Sequence, residues 1–153
     1  MTTTTLAAGG GLTHLARRGI AALESLQPAA QLAARLYLAQ VFFLAGLTKI
    51  RDWETTLLLF ENEYQVPLLS PALAAVAGTF GELVLPVLLV LGLGGRVAAA
   101  GLFVLNAVAV ASLPDIAPAA LQQHQFWGSL LLALLLWGPG RWSVDAAVAR
   151  RLS

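Results

Sequence analysis

The chain has 153 residues, of which 58% are hydrophobic and 11% charged, with a mean hydropathy of +0.77. A soluble domain carries about a quarter charged residues, and one this small has too little interior for so many apolar side chains, so the excess must face lipid. A net charge of +1 on scattered basic residues excludes a nucleic-acid surface, and the absence of cysteine excludes thiolate nucleophiles, iron–sulfur ligation and thiolate metal sites.

Met1 to Thr5 are polar and lack the cationic start of a secretory signal. Leu12, Leu15, Leu23 and Leu26 then recur near helical period, with Arg17, Arg18, Glu24 and Gln27 between them. This predicts an amphipathic helix on the membrane surface, ended by Pro28. Residues 1–30 are read as a cytoplasmic tail, 31–142 as a membrane domain and 143–153 as a second cytoplasmic tail.

Four apolar stretches follow, at about 32–50, 71–91, 97–113 and 119–137. Pro71 suits the first turn of a helix, and Gly92-Leu93-Gly94-Gly95, Pro114 and Gly138-Pro139-Gly140 are breaks. Each stretch approaches the ~20 residues that cross a ~30 Å hydrocarbon core. The predicted fold is all-α: a bundle of four transmembrane helices, an N-terminal amphipathic helix and a short outer interfacial helix.

Basic residues set the orientation. Arg17, Arg18, Arg96, Arg141, Arg150 and Arg151 lie in the tails and the second connection. Against those six, the first and third connections have only Lys49 and Arg51, at the end of the first stretch, and carry Asp52, Glu54, Glu61, Glu63 and Asp115. Both ends and the second connection are therefore expected in the cytoplasm. Trp137 and Trp142 are expected at the inner interface, Trp53 and Trp127 at the outer one. In the first connection, Trp53, Leu57, Phe60 and Tyr64 share one helical face. That face is either a lid over a cavity or a helix resting on lipid.

Ionisable groups at membrane depth face the protein interior and find partners. Glu82 sits mid-way along the second stretch, and Pro86 four residues on removes the helical partner of its carbonyl. Judged by depth, Arg35, Gln40, Glu82 and Asn106 form one candidate cluster, with Arg35 reaching towards Glu82. Lys49, at the far end of the first stretch, is expected to pair with acids of the outer connection. The fourth stretch spans only if Gln122 to Gln125 enter the membrane, which brings in His124 as a proton carrier or an anchor, with Trp127 beside it. His14 lies in a polar tail, so no haem held by two intramembrane histidines is expected, and no metal site.

Arg35-Leu36-Tyr37 followed by Phe42-Phe43-Leu44-Ala45-Gly46-Leu47-Thr48-Lys49 resembles the first-helix signature of the DoxX family. Gly81-Glu82-Leu83 through Pro86, then Gly92-Leu93-Gly94-Gly95-Arg96, resembles its second helix and following turn. The likeness runs from about Leu32 to Trp142. It implies a four-helix bundle in a bacterial-type cytoplasmic membrane, with Arg35, Lys49, Glu82 and Arg96 as the family-like polar positions. Some members of the family resemble membrane subunits of quinone-linked sulfur-compound oxidoreductases, and others accompany maturation systems.

Three functions follow. The chain is an accessory or redox-linked subunit using a diffusible quinone beside a soluble or membrane enzyme partner, a purely structural anchor, or a small solute or proton transporter built on Glu82. Besides lipid, a second copy of the chain is a possible partner, and transport by so few helices would need such an assembly. The chain has no self-sufficient catalytic centre. Reporter fusions at residues 1 and 153 should both give a cytoplasmic signal; opposite signals would refute the charge-based orientation.

Overall fold

The computed structural model describes the backbone of residues 7–152 and the side chains of residues 13–152. Its helices are α1 (Ala7–Arg51), α2 (Trp53–Asn62), α3 (Pro71–Leu91), α4 (Gly95–Ser112), α5 (Pro118–Trp137) and α6 (Val144–Leu152). Among the described residues there is no strand.

The helix ends follow local chemistry. Ser70 caps α3, its Oγ accepting from the Leu73 N–H at 3.4 Å, and Pro71 follows in the first turn. Gly92 closes α3 in the left-handed conformation at φ 64°, and Gly94 opens α4 at φ 55°. A side chain other than glycine pays a steric penalty in that region, so the tight α3–α4 turn requires this pair. Asp52 caps α2 through the Thr55 N–H at 3.0 Å and the Thr55 hydroxyl at 2.7 Å, which hold its carboxyl below the usual range.

Pro28 does not end a helix, contrary to the sequence expectation. It lies buried inside the 45-residue α1. A proline inside a helix costs about 3 kcal/mol, and the alanine-rich stretch on its C-terminal side favours continuing the helix. At ~1.5 Å per residue, α1 is about twice as long as a ~30 Å bilayer core requires. Residues 13–27 are exposed, so the N-terminal part of α1 projects beyond the packed helices. The segment from Val144 to Leu152 is helical rather than plain tail.

α1 packs on α3, α3 on α4, α4 on α5, and a thinner seam joins α5 back to α1. Leu38, Phe42, Leu89, Ala98, Ala99, Leu102, Leu131 and Leu134 form the core between them. A second cluster sits under α2, where Phe60 is buried against Ala74 and Ala75 with Trp53, Leu57 and Tyr64 packed around it. The apolar face of α2 thus lies on α3.

α1, α3 and α4 are long and apolar enough to cross a membrane. α5 has 20 residues, but Gln122, Gln123, His124 and Gln125 occupy its first half and lower its apolarity.

Two glycines set how closely the helices approach. A Cβ at Gly46 would lie 2.9 Å from the Leu83 Cγ and 3.1 Å from the Glu82 Cβ, and one at Gly81 would lie 2.6 Å from a Leu105 methyl. Small residues of this kind let membrane helices pack backbone against backbone. Gly46→Leu should therefore push α1 off α3 and destabilise the protein by about 1–3 kcal/mol, the usual penalty for overpacking. A thermal melt in detergent checks this, and an unchanged midpoint would contradict the close approach.

Candidate functional site

The Gly46 contact brings the carboxylate of Glu82 within reach of α1. Lys49 stands nearly one turn beyond Gly46, and its Nζ donates to both Glu82 oxygens, at 2.8 and 2.6 Å. The flexible four-carbon stem of lysine lets the ammonium reach inward from the end of the helix. The acid at mid-membrane position therefore has an opposite charge on it, as its cost in an apolar setting demands.

The partner is Lys49 and not Arg35, which corrects the depth-based cluster. Helices α1 and α3 run antiparallel, so Gly46 opposite Leu83 places residue 35 opposite the end of α3. There Arg35, 1% exposed, donates its Nη2 to the Trp142 carbonyl at 2.5 Å and packs under Gly92 and Ser143. Gln40 is exposed beside Pro86 on the outside of the α1–α3 pair, so it does not join Glu82 either.

Asn106 also belongs elsewhere. Its Nδ2 donates to the His124 carbonyl at 2.9 Å, and its Oδ1 accepts from the His124 Nδ1 at 2.8 Å. Since an amide oxygen only accepts, the Nδ1 of His124 carries the proton. Trp127 packs edge-on against His124 at 5.0 Å and against Phe42 at 6.0 Å, and its Nε1 donates to the Tyr37 hydroxyl at 3.2 Å. Gln123 donates to the same hydroxyl at 3.2 Å. These bonds fasten α5 to α4 and α1. Trp127 thus lies against the middle of α1's apolar stretch, between Tyr37 and Phe42.

Around Lys49 and Glu82 the structure opens a cavity of about 270 Å³ between α1, α2, α3 and α4. Phe60, Tyr64, Ala74, Gly78 and Leu105 supply its walls. A second cavity of about 340 Å³ lies on the α2 side, lined by Thr48, Asp52, Thr55 and Thr56. Lys49, Phe60 and Tyr64 line both. The ion pair thus lies where the two cavities meet, and α2 is the cover.

Tyr64 is a residue that the sequence reading passed over as packing. Burial, with the charges of Glu63 and Glu82 adding to it, pushes its phenol above the ordinary tyrosine value. It stays protonated and can donate a hydrogen bond. Its signal in the sequence was only its spacing from Trp53, Leu57 and Phe60; the structure ends α2 at Asn62, so Tyr64 packs on Phe60 from just beyond the helix. Asp145 was likewise missed. Its carboxylate accepts from the Gly94 and Gly95 N–H groups at 2.8 and 2.9 Å, while its own N–H donates to the Gly92 carbonyl at 3.0 Å. Its negative charge also faces the buried guanidinium of Arg35. Arg96, one residue past that cap, is exposed and donates to the Leu136 carbonyl at 3.3 Å.

The sequence profile of the DoxX family matches residues 30–115, more than half of the chain. The chain belongs to the DoxX family. The DoxX match takes in the second part of α1, all of α2, α3 and α4, and every lining residue of both cavities, none of which lies on α5. It stops short of Trp142, the limit expected from sequence, so the α5 contacts of this DoxX protein rest on the structure alone. Searches of curated proteins and of solved structures found no match.

Removing one member of the Lys49–Glu82 pair should cost more than removing both. Lys49→Met leaves a carboxylate without its partner in an apolar chamber, at about 1–3 kcal/mol. Lys49→Met combined with Glu82→Leu should recover most of that loss. Melting temperatures of the single and double variants test it, and additive losses would show that the two side chains are not coupled.

Proposed function

We propose that this DoxX-family protein crosses a bacterial-type cytoplasmic membrane four times, with α5 as the fourth span and both ends in the cytoplasm, and serves as a redox-linked accessory subunit that holds a quinone-type ligand at Lys49 and Glu82. The observation that carries this reading is the ion pair on the wall of an otherwise apolar cavity covered by α2. Ligand sites of this kind are mostly apolar with a few convergent polar groups. Lys49 and the neutral Tyr64 phenol offer hydrogen-bond donors to a carbonyl oxygen, and Glu82 offers an acceptor to the hydroxyl of a reduced ligand. Gly78 and Leu105 leave the chamber apolar enough for a ring. The chain supplies no thiolate or haem ligand pair, so electrons would come from an enzyme partner.

A proton pathway is the second reading, and one observation favours it: Lys49 lines both cavities, the second of which also carries Asp52 and three threonine hydroxyls. A carboxylate paired to an ammonium at that junction is a place where a proton can be exchanged.

Titration of the purified protein with a short-chain quinone, followed by tryptophan and tyrosine fluorescence, should give saturable binding. Glu82→Gln and Lys49→Met should each weaken it about tenfold or more, the effect of losing a hydrogen bond to a charged group. Absence of quinone binding, together with a co-purifying enzyme, would leave the anchor function. Proton flux into liposomes that depends on Glu82 without quinone would establish the second reading instead.

A further inference from the structure

The α1–α5 seam is much thinner than the α1–α3, α3–α4 and α4–α5 contacts, and it leaves a trough of about 380 Å³. Ala30, Ala34 and Ala133 face one another there, and three methyl groups do not fill the gap between two helices. Leu130, Leu134 and Trp137 complete an apolar lining. Trp137 is 72% exposed, so its indole stands at the mouth rather than plugging the trough.

At its Arg-rich end the trough runs into a second cleft, of about 570 Å³. The two share Gln27, Gln31 and Trp137 as lining residues. The character of the lining changes here. Arg96 and Arg141, both exposed, stand on the cleft walls with the two glutamine amides. Asp145 is the acid in the cleft, and both of its oxygens are taken by the Gly94 and Gly95 N–H groups. The cleft therefore offers an anion two guanidinium groups, with its own carboxylate turned to the backbone.

From this continuity we propose that the α1–α5 seam binds an anionic phospholipid, with one acyl chain along Ala30, Ala34 and Ala133 and the phosphate between Arg96 and Arg141. The occupant matches the site at both ends. An apolar trough opening on the lipid-facing side suits a hydrocarbon chain, and guanidinium groups bind phosphate oxygens through their planar N–H pairs. The order is also right: tryptophan favours the boundary between acyl chains and headgroups, and Trp137 sits where the two cavities join. Basic pockets between membrane helices at the cytoplasmic side recognise anionic headgroups by the same physics. Neither cavity includes Lys49, Glu82 or any residue of α2, so this site stands apart from the proposed ligand chamber.

Native mass spectrometry of the delipidated full chain tests this, using phosphatidylglycerol, cardiolipin, phosphatidylcholine and inorganic phosphate as probes. Phosphatidylglycerol or cardiolipin should be retained over phosphatidylcholine. The variant Arg96→Gln with Arg141→Gln should lose about thirtyfold in retention, the effect of removing two basic residues beside an anionic headgroup. Arg150→Gln with Arg151→Gln, which removes the same charge from outside the cleft, should retain the lipid. Ala133→Phe should block the trough with both arginines in place. Circular dichroism in lipid-free detergent identifies any variant that fails to fold, and the phosphatidylcholine comparison on the unaltered chain needs no variant. Equal retention of phosphatidylcholine, displacement of the lipid by inorganic phosphate, or full retention by the folded arginine variant would each overturn the proposal.

Discussion

The register of α1 against α3 is the constraint on which the rest of the molecule depends. It is set where Gly46 lets the backbone of α1 come against Leu83 and Glu82. With that crossing in place, one ammonium falls on one carboxylate. A shift of a single turn would carry Lys49 away from Glu82 and leave a charged group in an apolar chamber, so the electrostatic cost and the steric fit select the same arrangement.

The same register disposes of the other charges. Arg35, about three turns before Gly46, is carried to the end of α3, where it donates to the Trp142 carbonyl and faces the charge of Asp145 instead of Glu82. There it ties the segment after α5 to the α3–α4 turn, and Asp145 locks that segment to the N-terminus of α4. A carboxylate at a helix N-terminus interacts favourably with the exposed N–H groups and with the helix dipole. The two ends of the bundle therefore differ. The α2 end is built around a cavity under a cover, whereas the opposite end is cross-tied by short polar bonds and opens into the alanine-lined seam and the arginine-walled cleft that joins it.

The polar start of α5 shows how a helix of mixed composition is accommodated. Gln123 and His124 each find a partner on another helix, Tyr37 and Asn106 respectively. The Gln123 bond is exposed and the His124 bond half-buried, and even fully buried polar bonds between membrane helices are worth only ~0.6 kcal/mol each on average. Their larger effect here is on direction, since each bond accepts one rotation of α5. The apolar residues from Phe126 onward then turn to the core at Leu131 and Leu134, with Phe126, Leu132, Leu136 and Trp137 exposed.

Much of this could be read from the chain itself, because hydrophobic length, glycine and proline breaks and helical period are local properties. The range of α3 and the apolar face of α2 follow from Pro71, Gly92 and the spacing of Trp53, Leu57 and Phe60. Membership of the DoxX family was legible in the Gly81-Glu82-Leu83 and Gly92 to Arg96 segments. Which side chain answers Glu82 was not legible, because depth along a helix says nothing about the register or the facing of its neighbour. That choice depended on contacts between residues 33 positions apart, and only the packed helices made it: Lys49 came to the acid, Arg35 to the turn, and Asn106 to His124. Pro28 fell on the same side of the divide, since local chemistry favours a break there and the helix nevertheless runs through it, with Pro28 itself buried and its helical neighbours exposed.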